Sequence, residues 1–302
     1  MGKIPVGKTI AYAYGFLFHH IGTVVGLTLI PALLYAAADY VNHSYAAAYQ
    51  AQVQAGDAQA IGLYLLLSLL TLLVILFSSS VAAVAVTEEA LGLRGAKPFV
   101  SFRVGRAEWR MFLANLRYFL GAIVLIGLAI LVSVIAFLLA GVSLQPGAAP
   151  PKLSIAVVLA TVLSAAVFAY AFVSLLRMTF LLPPSVVAEE KGGLKRSHEL
   201  TKGNFWRIFA IVLALSLPIM MLAVAGELAI LRAFVGPDLF NQDTIDNLPA
   251  RIDEALKNRL LPWEVFVSIL FIFIFGLLYS ASAFAYRALV PGSLPATPER
   301  PV

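Results

Sequence analysis

Few residues in this sequence combine a chemically useful side chain with a place inside an apolar stretch. Glu227 lies in such a stretch with Arg232 five residues later, and Asp39 lies near the end of another. An ionisable group inside a membrane span costs about 2.5–3.5 kcal/mol on insertion scales, and it faces a bundle interior or water. Two interpretations stay open: a polar site for a proton, cation or substrate, or a shallow Glu227–Arg232 pair that reaches the membrane surface, which we favour.

Two pairs of adjacent carboxylates, Glu88-Glu89 and Glu189-Glu190, suit acid–base or metal chemistry by residue type alone. Neighbours on a helix point about 100° apart, so the two members of a pair do not face each other. The chain has no cysteine, and its four histidines lack the i, i+4 spacing of a metal-binding pair. We therefore expect no catalytic residue, no metal site and no cofactor. We expect the carboxylates to bridge to nearby basic residues.

The first residues match the phosphate-loop pattern G-x-x-x-x-G-K-[ST], as Gly2-Lys3-Ile4-Pro5-Val6-Gly7-Lys8-Thr9. That loop binds phosphate only between a strand and a helix, through free backbone amides. No strand precedes residue 2, and Pro5 removes one amide. We interpret the segment as a flexible basic terminus near anionic lipid headgroups.

The composition indicates where these residues must sit. The chain has 302 residues, of which 61% are hydrophobic and 12% are charged, with a mean hydropathy of +0.92. An average soluble domain is roughly half apolar and about a quarter charged. The low charge excludes a disordered protein, and the apolar excess argues against a soluble enzyme of this length. The sequence predicts an all-α integral membrane protein.

Six stretches are long and apolar enough to span a bilayer, which takes about 20 residues. They cover residues 21–41, 61–87, 116–142, 153–182, 208–231 and 263–286. A seventh periodic stretch, 244–261, carries too many charges to span and predicts an amphipathic helix on the membrane surface.

The charged residues divide unequally between the two sides of these spans. One side carries sixteen Lys and Arg with seven acidic residues, and the other carries five with nine. The positive-inside rule then places both termini in the cytoplasm. The net charge of +5 is the difference between two opposed faces, so we expect no nucleic-acid partner.

The single membrane domain, 1–302, contains an internal repeat. Two spans end in Glu-Glu, a basic loop follows each, and the next span begins with Trp109-Arg110 or Trp206-Arg207 in a Trp-Arg-x-Phe motif. This predicts three tandem hairpins, with repeats 1–87, 88–190 and 191–302 and matching prolines at Pro31 and Pro218. Amphipathic elbow helices over 7–20, 100–109 and 194–206 would precede the hairpins. The alternative is that Trp and Arg only mark membrane interfaces.

The elbow segments carry the residues expected to contact lipid headgroups. Tryptophan sits at headgroup depth with a wet N–H group, and each basic residue near an anionic surface gains roughly 1 kcal/mol. The predicted headgroup contacts are Trp109, Arg110, Trp206, Arg207, Lys195 and Arg196.

The segment Leu-Lys-Arg-Ser-His-Glu-Leu-Thr-Lys-Gly-Asn-Phe-Trp-Arg-Ile-Phe at 194–209 is similar to one in a bacterial family of six-span membrane proteins. That family includes the membrane domain beside some glycerophosphoryl diester phosphodiesterases, and the YciC-like inner-membrane proteins. Its pattern often has an aromatic residue where this chain has His198. The resemblance implies a bacterial inner-membrane location and six helices, but no reaction.

From these features we expect a non-enzymatic scaffold or lipid-interacting protein of the bacterial envelope. Its partners would be membrane lipids, with a homo-oligomer or another membrane protein as a further possibility. The alternative is a transporter or channel subunit with a polar site formed by Glu227, Arg232 and Asp39.

Overall fold

The computed structural model describes residues 2–95, 100, 102–142, 154–189, 192–235, 248–290 and 292; within its helices, the side chains of 46, 47, 50, 51, 54, 227, 230, 231, 233–235 and 248–264 are outside the description. The described residues form nine helices and no strand. The helices are α1 Val6–His19, α2 Ile21–Gln54, α3 Ala58–Ala90, α4 Arg106–Leu139, α5 Ile155–Thr179, α6 Leu182–Ala188, α7 Leu194–Leu200, α8 Phe205–Val235 and α9 Leu248–Leu289.

Six stretches of this structure are long and apolar enough to cross a membrane: Ile21–Tyr45, Ala58–Ala90, Arg106–Leu139, Ile155–Ala188, Phe205–Gly226 and Val265–Leu289. The prediction of an all-α membrane protein with six spans is therefore confirmed. Several helices exceed the prediction in length. A helix such as α2, with 34 residues, measures about 50 Å, against about 30 Å of hydrocarbon.

Consecutive spanning helices pack against each other as α2 with α3, α4 with α5, and α8 with α9. This is the predicted arrangement of three hairpins. Helix α9 lies at the centre of the bundle, where it contacts α1, α2, α3, α6 and α8. The α4–α5 hairpin is peripheral and meets the other spans mainly through α3. Its own helices bury small residues between them, which permits close approach: Ala129, Ser133, Ala160 and Ser164.

The predicted elbow helices have different outcomes. Helix α1 confirms the first, and it buries Ala13, Phe16 and Leu17 along one face. The third is present as the short helix α7 followed by a turn over 201–204. The second prediction is wrong in its described part, since residues 102–105 are not helical and 106–109 form the first turn of α4. The Glu108 carboxylate accepts a hydrogen bond from the Gly105 amide at 2.8 Å, which fixes the start of the spanning helix there.

Two further features differ from the prediction. The charged stretch predicted as a separate surface helix over 244–261 is, from Leu248 onward, continuous with the last span in the 42-residue helix α9. Periodicity indicates a helix there but does not show where it ends. The fourth span is also interrupted, because the chain turns at 180–181 and restarts as α6 with prolines in its first turn. Helix α6 buries most of its residues against α3, α4 and α9.

The two ends of the bundle are packed differently. We call the end formed by residues 2–20, 84–95, 105–115, 177–189, 192–211 and 281–290 the basal end, and the opposite end the distal end. The largest buried cluster lies mostly at the basal end, where it joins α1, α3, α7, α8 and α9. Its fully buried members include Leu17, Leu91, Leu181, Ile208 and Tyr286.

Candidate functional site

The N-terminal segment is held against the start of α8 at the basal end. The Asn204 side-chain oxygen accepts a hydrogen bond from the Ile4 amide, and its amide nitrogen donates to the Gly2 carbonyl, both at 3.1 Å. The Arg207 guanidinium donates to the Ile4 carbonyl at 2.8 Å. Ile4 itself is fully buried. The interpretation of residues 2–9 as a flexible terminus is therefore wrong, because side chains about two hundred positions away bind the backbone of residues 2 and 4, and α1 begins at Val6.

The same contacts show that residues 2–9, which match the phosphate-loop pattern, do not form a phosphate-binding loop. Residues from Val6 onward belong to α1, the Ile4 amide is already bonded, and the buried Thr9 hydroxyl donates to the Pro5 carbonyl at 2.9 Å. These groups are occupied by the protein itself, so the segment does not form the amide cradle that binds a nucleotide phosphate.

A tight turn places Asn204 where it meets the N-terminal segment. Helix α7 ends at Leu200, and the Asn204 amide donates back to the Thr201 carbonyl at 3.0 Å. Gly203 has a φ of 78° in this turn, a left-handed conformation that glycine adopts without steric cost. The Asn204 carbonyl then accepts the first helical bond of α8 from Ile208. Asn204 is only 2% exposed.

Glu189 joins three parts of the basal end. Its carboxylate accepts from the Arg196 Nε at 2.9 and 3.0 Å and from the fully buried Tyr286 hydroxyl at 2.8 Å. The Arg110 guanidinium donates to its backbone carbonyl. The prediction that Glu189 bridges to basic residues is confirmed, and its neighbour Glu190 lies outside the described residues. A carboxylate engaged in this way acts as a structural connector.

Arginine donation to a backbone carbonyl recurs among the described residues of this end, and three examples join parts of the chain that are far apart in sequence. Arg110 donates to the Glu189 carbonyl, Arg207 to the Ile4 carbonyl, and Arg287 to the Leu91 carbonyl. Each contact ties the terminal turn of a spanning helix to a segment that lies outside its own helix. The arginines of both Trp-Arg motifs therefore have a structural partner within the protein.

Two more contacts secure the elbow helices. The Tyr12 hydroxyl in α1 donates to the Ala90 carbonyl at 3.0 Å, and burial raises the pKa of this phenol above its usual value, so it remains a donor. The Arg177 guanidinium donates to the His198 carbonyl at 3.0 Å. In return, the Ser197 and Thr201 hydroxyls donate to the Arg177 carbonyl.

His198 occupies an unusual environment in α7. Its Nδ1 atom is buried and has no hydrogen-bond partner among the described residues. Burial, followed by the charge of Arg177, lowers the pKa of His198 below the ordinary histidine value. The neutral imidazole is therefore favoured over a wider pH range than in an exposed histidine.

The predicted headgroup residues fall into two groups. Trp109 and Trp206 are 51% and 75% exposed, and Lys195 is exposed as well. Arg110, Arg196 and Arg207 are half-buried and bonded within the protein. Their contact with lipid headgroups stays a prediction. Further exposed cations lie at or near the basal end and were not among the six predicted headgroup contacts: Lys3, Lys8, Arg103, Arg106, Arg117 and Lys202.

The residues predicted to form a polar site at the distal end have few described contacts, and none of those contacts joins them to one another. Asp39 lies 3.5 Å from the His43 ring, one turn further along α2. Arg232 is exposed in α8, and the Glu227 side chain lies outside the described part of the chain, so the Glu227–Arg232 pair stays a prediction. The described residues contain no group of three or more His, Asp or Glu arranged to hold a metal ion.

Sequence reasoning missed the residues that organise the basal end, namely Asn204, Tyr286 and Arg177. Asn204 was visible inside the segment used for the family resemblance, but nothing in the sequence pairs it with residues 2–4. Comparison of the chain with protein-family models, with curated proteins and with solved structures finds no match.

Proposed function

We propose that this chain is a non-enzymatic protein of a bacterial inner membrane, with a scaffold or lipid-interacting role. Both termini lie in the cytoplasm, and the basal end sits in the inner leaflet. The bacterial location rests on the family resemblance of residues 194–209. The orientation rests on the unequal distribution of Lys and Arg.

The observation that carries this proposal is the combination of exposed cations and exposed tryptophans on a well-packed basal end. Trp109 packs beside Phe77 and Phe112 with ring centroids 5.7 Å apart in both pairs, and Trp206 packs beside Phe205 and Phe209. Each indole thus extends an aromatic cluster outward at the start of a spanning helix. Anionic headgroups are the natural partner of such a surface, since they satisfy the charges while the rings enter the apolar layer.

The carboxylates at the basal end support a structural role. Glu189 accepts from Arg196 and Tyr286, and the buried Glu108 accepts from the Gly105 amide. These groups hold the protein together, which suits a platform for lipids or membrane partners.

Native mass spectrometry tests this proposal. The protein is reconstituted in nanodiscs with equal amounts of phosphatidylethanolamine and phosphatidylglycerol, and the lipids retained after release are counted. We expect phosphatidylglycerol to be enriched, and we expect joint neutralisation of Arg103, Arg106, Lys195 and Lys202 to glutamine to lower that enrichment. The distal Arg232→Gln variant is the control and keeps it. Retention of both lipids in equal amounts would overturn the proposal.

A further inference from the structure

The Asn204 contacts hold the backbone around Lys3 against the turn that contains Lys202. Lys3 lies between Gly2 and Ile4, whose backbone groups are both bonded to Asn204. Lys202 lies two residues before Asn204 in the turn that α7 and α8 share. Both side chains are exposed, with no hydrogen bond or ion pair to another described residue. The nearby Arg207 is different, because its guanidinium is half-buried against the Ile4 carbonyl.

An apolar track begins directly beside these lysines. Trp206 is 75% exposed and forms edge-to-face contacts with Phe205 and Phe209, at centroid distances of 5.0 and 6.0 Å. Exposed residues then follow at helical spacing up the same face of α8: Ala210, Leu213, Leu217 and Met220. The opposite face of α8 is buried through Ile208, Ile211, Leu215 and Ile219.

We propose that Lys3, Lys202 and Trp206 form a binding site for one anionic phospholipid, a site that rests on the proposed function. The two ammonium groups bind the phosphate, and the Trp206 indole packs on the glycerol and ester region. One acyl chain lies along the exposed track of α8. Asn204 is a positioning residue, because it fixes Lys3 beside Lys202.

The shape and charge of this surface select a lipid over other anions. Two positive charges lie where a spanning helix begins, and an apolar face about four turns long continues from them. A free phosphate satisfies only the lysines, and a nucleic acid gives no partner to the apolar track. A phospholipid satisfies both parts at once, because its headgroup and acyl chain are joined at the depth of Trp206.

Quenching of Trp206 fluorescence by brominated lipids tests the site directly. The variant Trp109→Phe/Trp263→Phe leaves Trp206 as the one indole, since the chain has three tryptophans. It is reconstituted in vesicles in which either phosphatidylglycerol or phosphatidylcholine carries the bromine. We expect brominated phosphatidylglycerol to compete for Trp206 with an apparent affinity on the order of ten-fold higher, as two nearby charges provide.

Charge-matched variants then locate the preference. In Lys3→Gln/Lys202→Gln, the two brominated lipids should have nearly equal apparent affinities, and both should still quench Trp206. Lys8→Gln/Arg117→Gln removes the same charge from two exposed positions outside the site and should keep the preference. An unchanged preference in the first variant overturns the site, and an equal loss in both shows a diffuse field instead. Relief of quenching by millimolar glycerol phosphate would also overturn it, since the site would then take a free anion.

A second variant tests the positioning role of Asn204. Asn204→Ala should lower the phosphatidylglycerol preference and also expose residue 4. The exposure of residue 4 is measured with Ile4→Cys. The natural chain has no cysteine, so this substitution introduces the one thiol that a reagent can label. Labelling should be slow with Asn204 present and at least ten-fold faster in its absence, with Lys3→Cys labelled rapidly in both. A lipid preference that survives release of residue 4 overturns the composite site.

The two proposals fail in different ways. Enrichment of phosphatidylglycerol in nanodiscs without any preference at Trp206 removes the site and keeps the proposed function. An absence of enrichment removes both.

Discussion

The basal and distal ends of the bundle contain the same kinds of helices but are held together by different interactions. At the basal end, buried leucines surround a set of polar contacts that join distant parts of the chain, such as Asn204 with Ile4 and Glu189 with Tyr286. At the distal end, Ser68 and Thr71 of α3 form hydrogen bonds with α2, and both partners are close to them along the chain. Large apolar side chains there face outward.

This difference shows how a membrane bundle specifies its structure. Lipid tails are as apolar as leucine, so exposed apolar faces cost little and give helices little reason to associate. Packing of fitted side chains and satisfied polar groups must then determine which helices meet. Both are concentrated at the basal end, and we expect the stability of the fold to be concentrated there as well.

The largest effect is expected from matched leucine truncations at the two ends. Leu181 is fully buried at the basal end, whereas Leu139 is 83% exposed at the distal end of α4. Leu181→Ala leaves a cavity and should lower the free energy of unfolding by about 2 kcal/mol or more. Leu139→Ala should cost less than about 0.5 kcal/mol. Unfolding in mixed micelles by a denaturing detergent measures both, and equal costs would contradict the comparison.

A smaller loss is expected from Glu189→Ala. The substitution removes one acceptor shared by the Arg196 guanidinium and the buried Tyr286 hydroxyl, which should cost about 1–3 kcal/mol. The same unfolding assay measures it. Glu199→Ala, at an exposed carboxylate in α7, is the control and should have little effect. The comparison is weakened if the two glutamate variants behave alike.

The smallest effect is a pH dependence at His198. Burial lowers the pKa of this imidazole in the folded state, so the unfolded chain takes up a proton first as the pH falls. The stability is fully present above the ordinary histidine pKa and declines as the pH drops from there through the lowered pKa. His198→Phe should flatten the dependence of the unfolding midpoint between pH 7.5 and 5.

The other three histidines are present in both proteins and provide the internal control. A variant that keeps the full slope of the original protein would show that the acid sensitivity arises elsewhere.

The sequence predicted the spans well because hydropathy and length alone determine which helices cross a bilayer. It also predicted that Glu189 contacts a basic residue of the following elbow segment, and that residue is Arg196, seven positions later in the chain. It did not predict the Asn204 contact with Ile4, because a single asparagine carries no signal for a partner 200 positions away. The continuity of α9 was missed for a related reason, since a change from amphipathic to apolar does not require a break in the helix.

Assignment of the headgroup residues shows the same limit. Residue type placed Arg110 and Arg207 among the lipid contacts, yet both donate to backbone carbonyls within the protein. The less conspicuous Lys3 and Lys202 are among the exposed cations. An arginine and a lysine look equivalent in a charge count, but the planar guanidinium is better suited to binding a carbonyl at a helix end.

The pairing of Ile4 with Asn204 also sets an order of events during synthesis. A ribosome adds about 5–20 residues per second, so about 10–40 s pass between the emergence of the two partners, which are 200 positions apart. Throughout that time the first residues have no binding partner in α8. The contact forms only after the start of the fifth span has been synthesised, and a nascent chain that stops earlier leaves its own beginning open to chaperones and proteases.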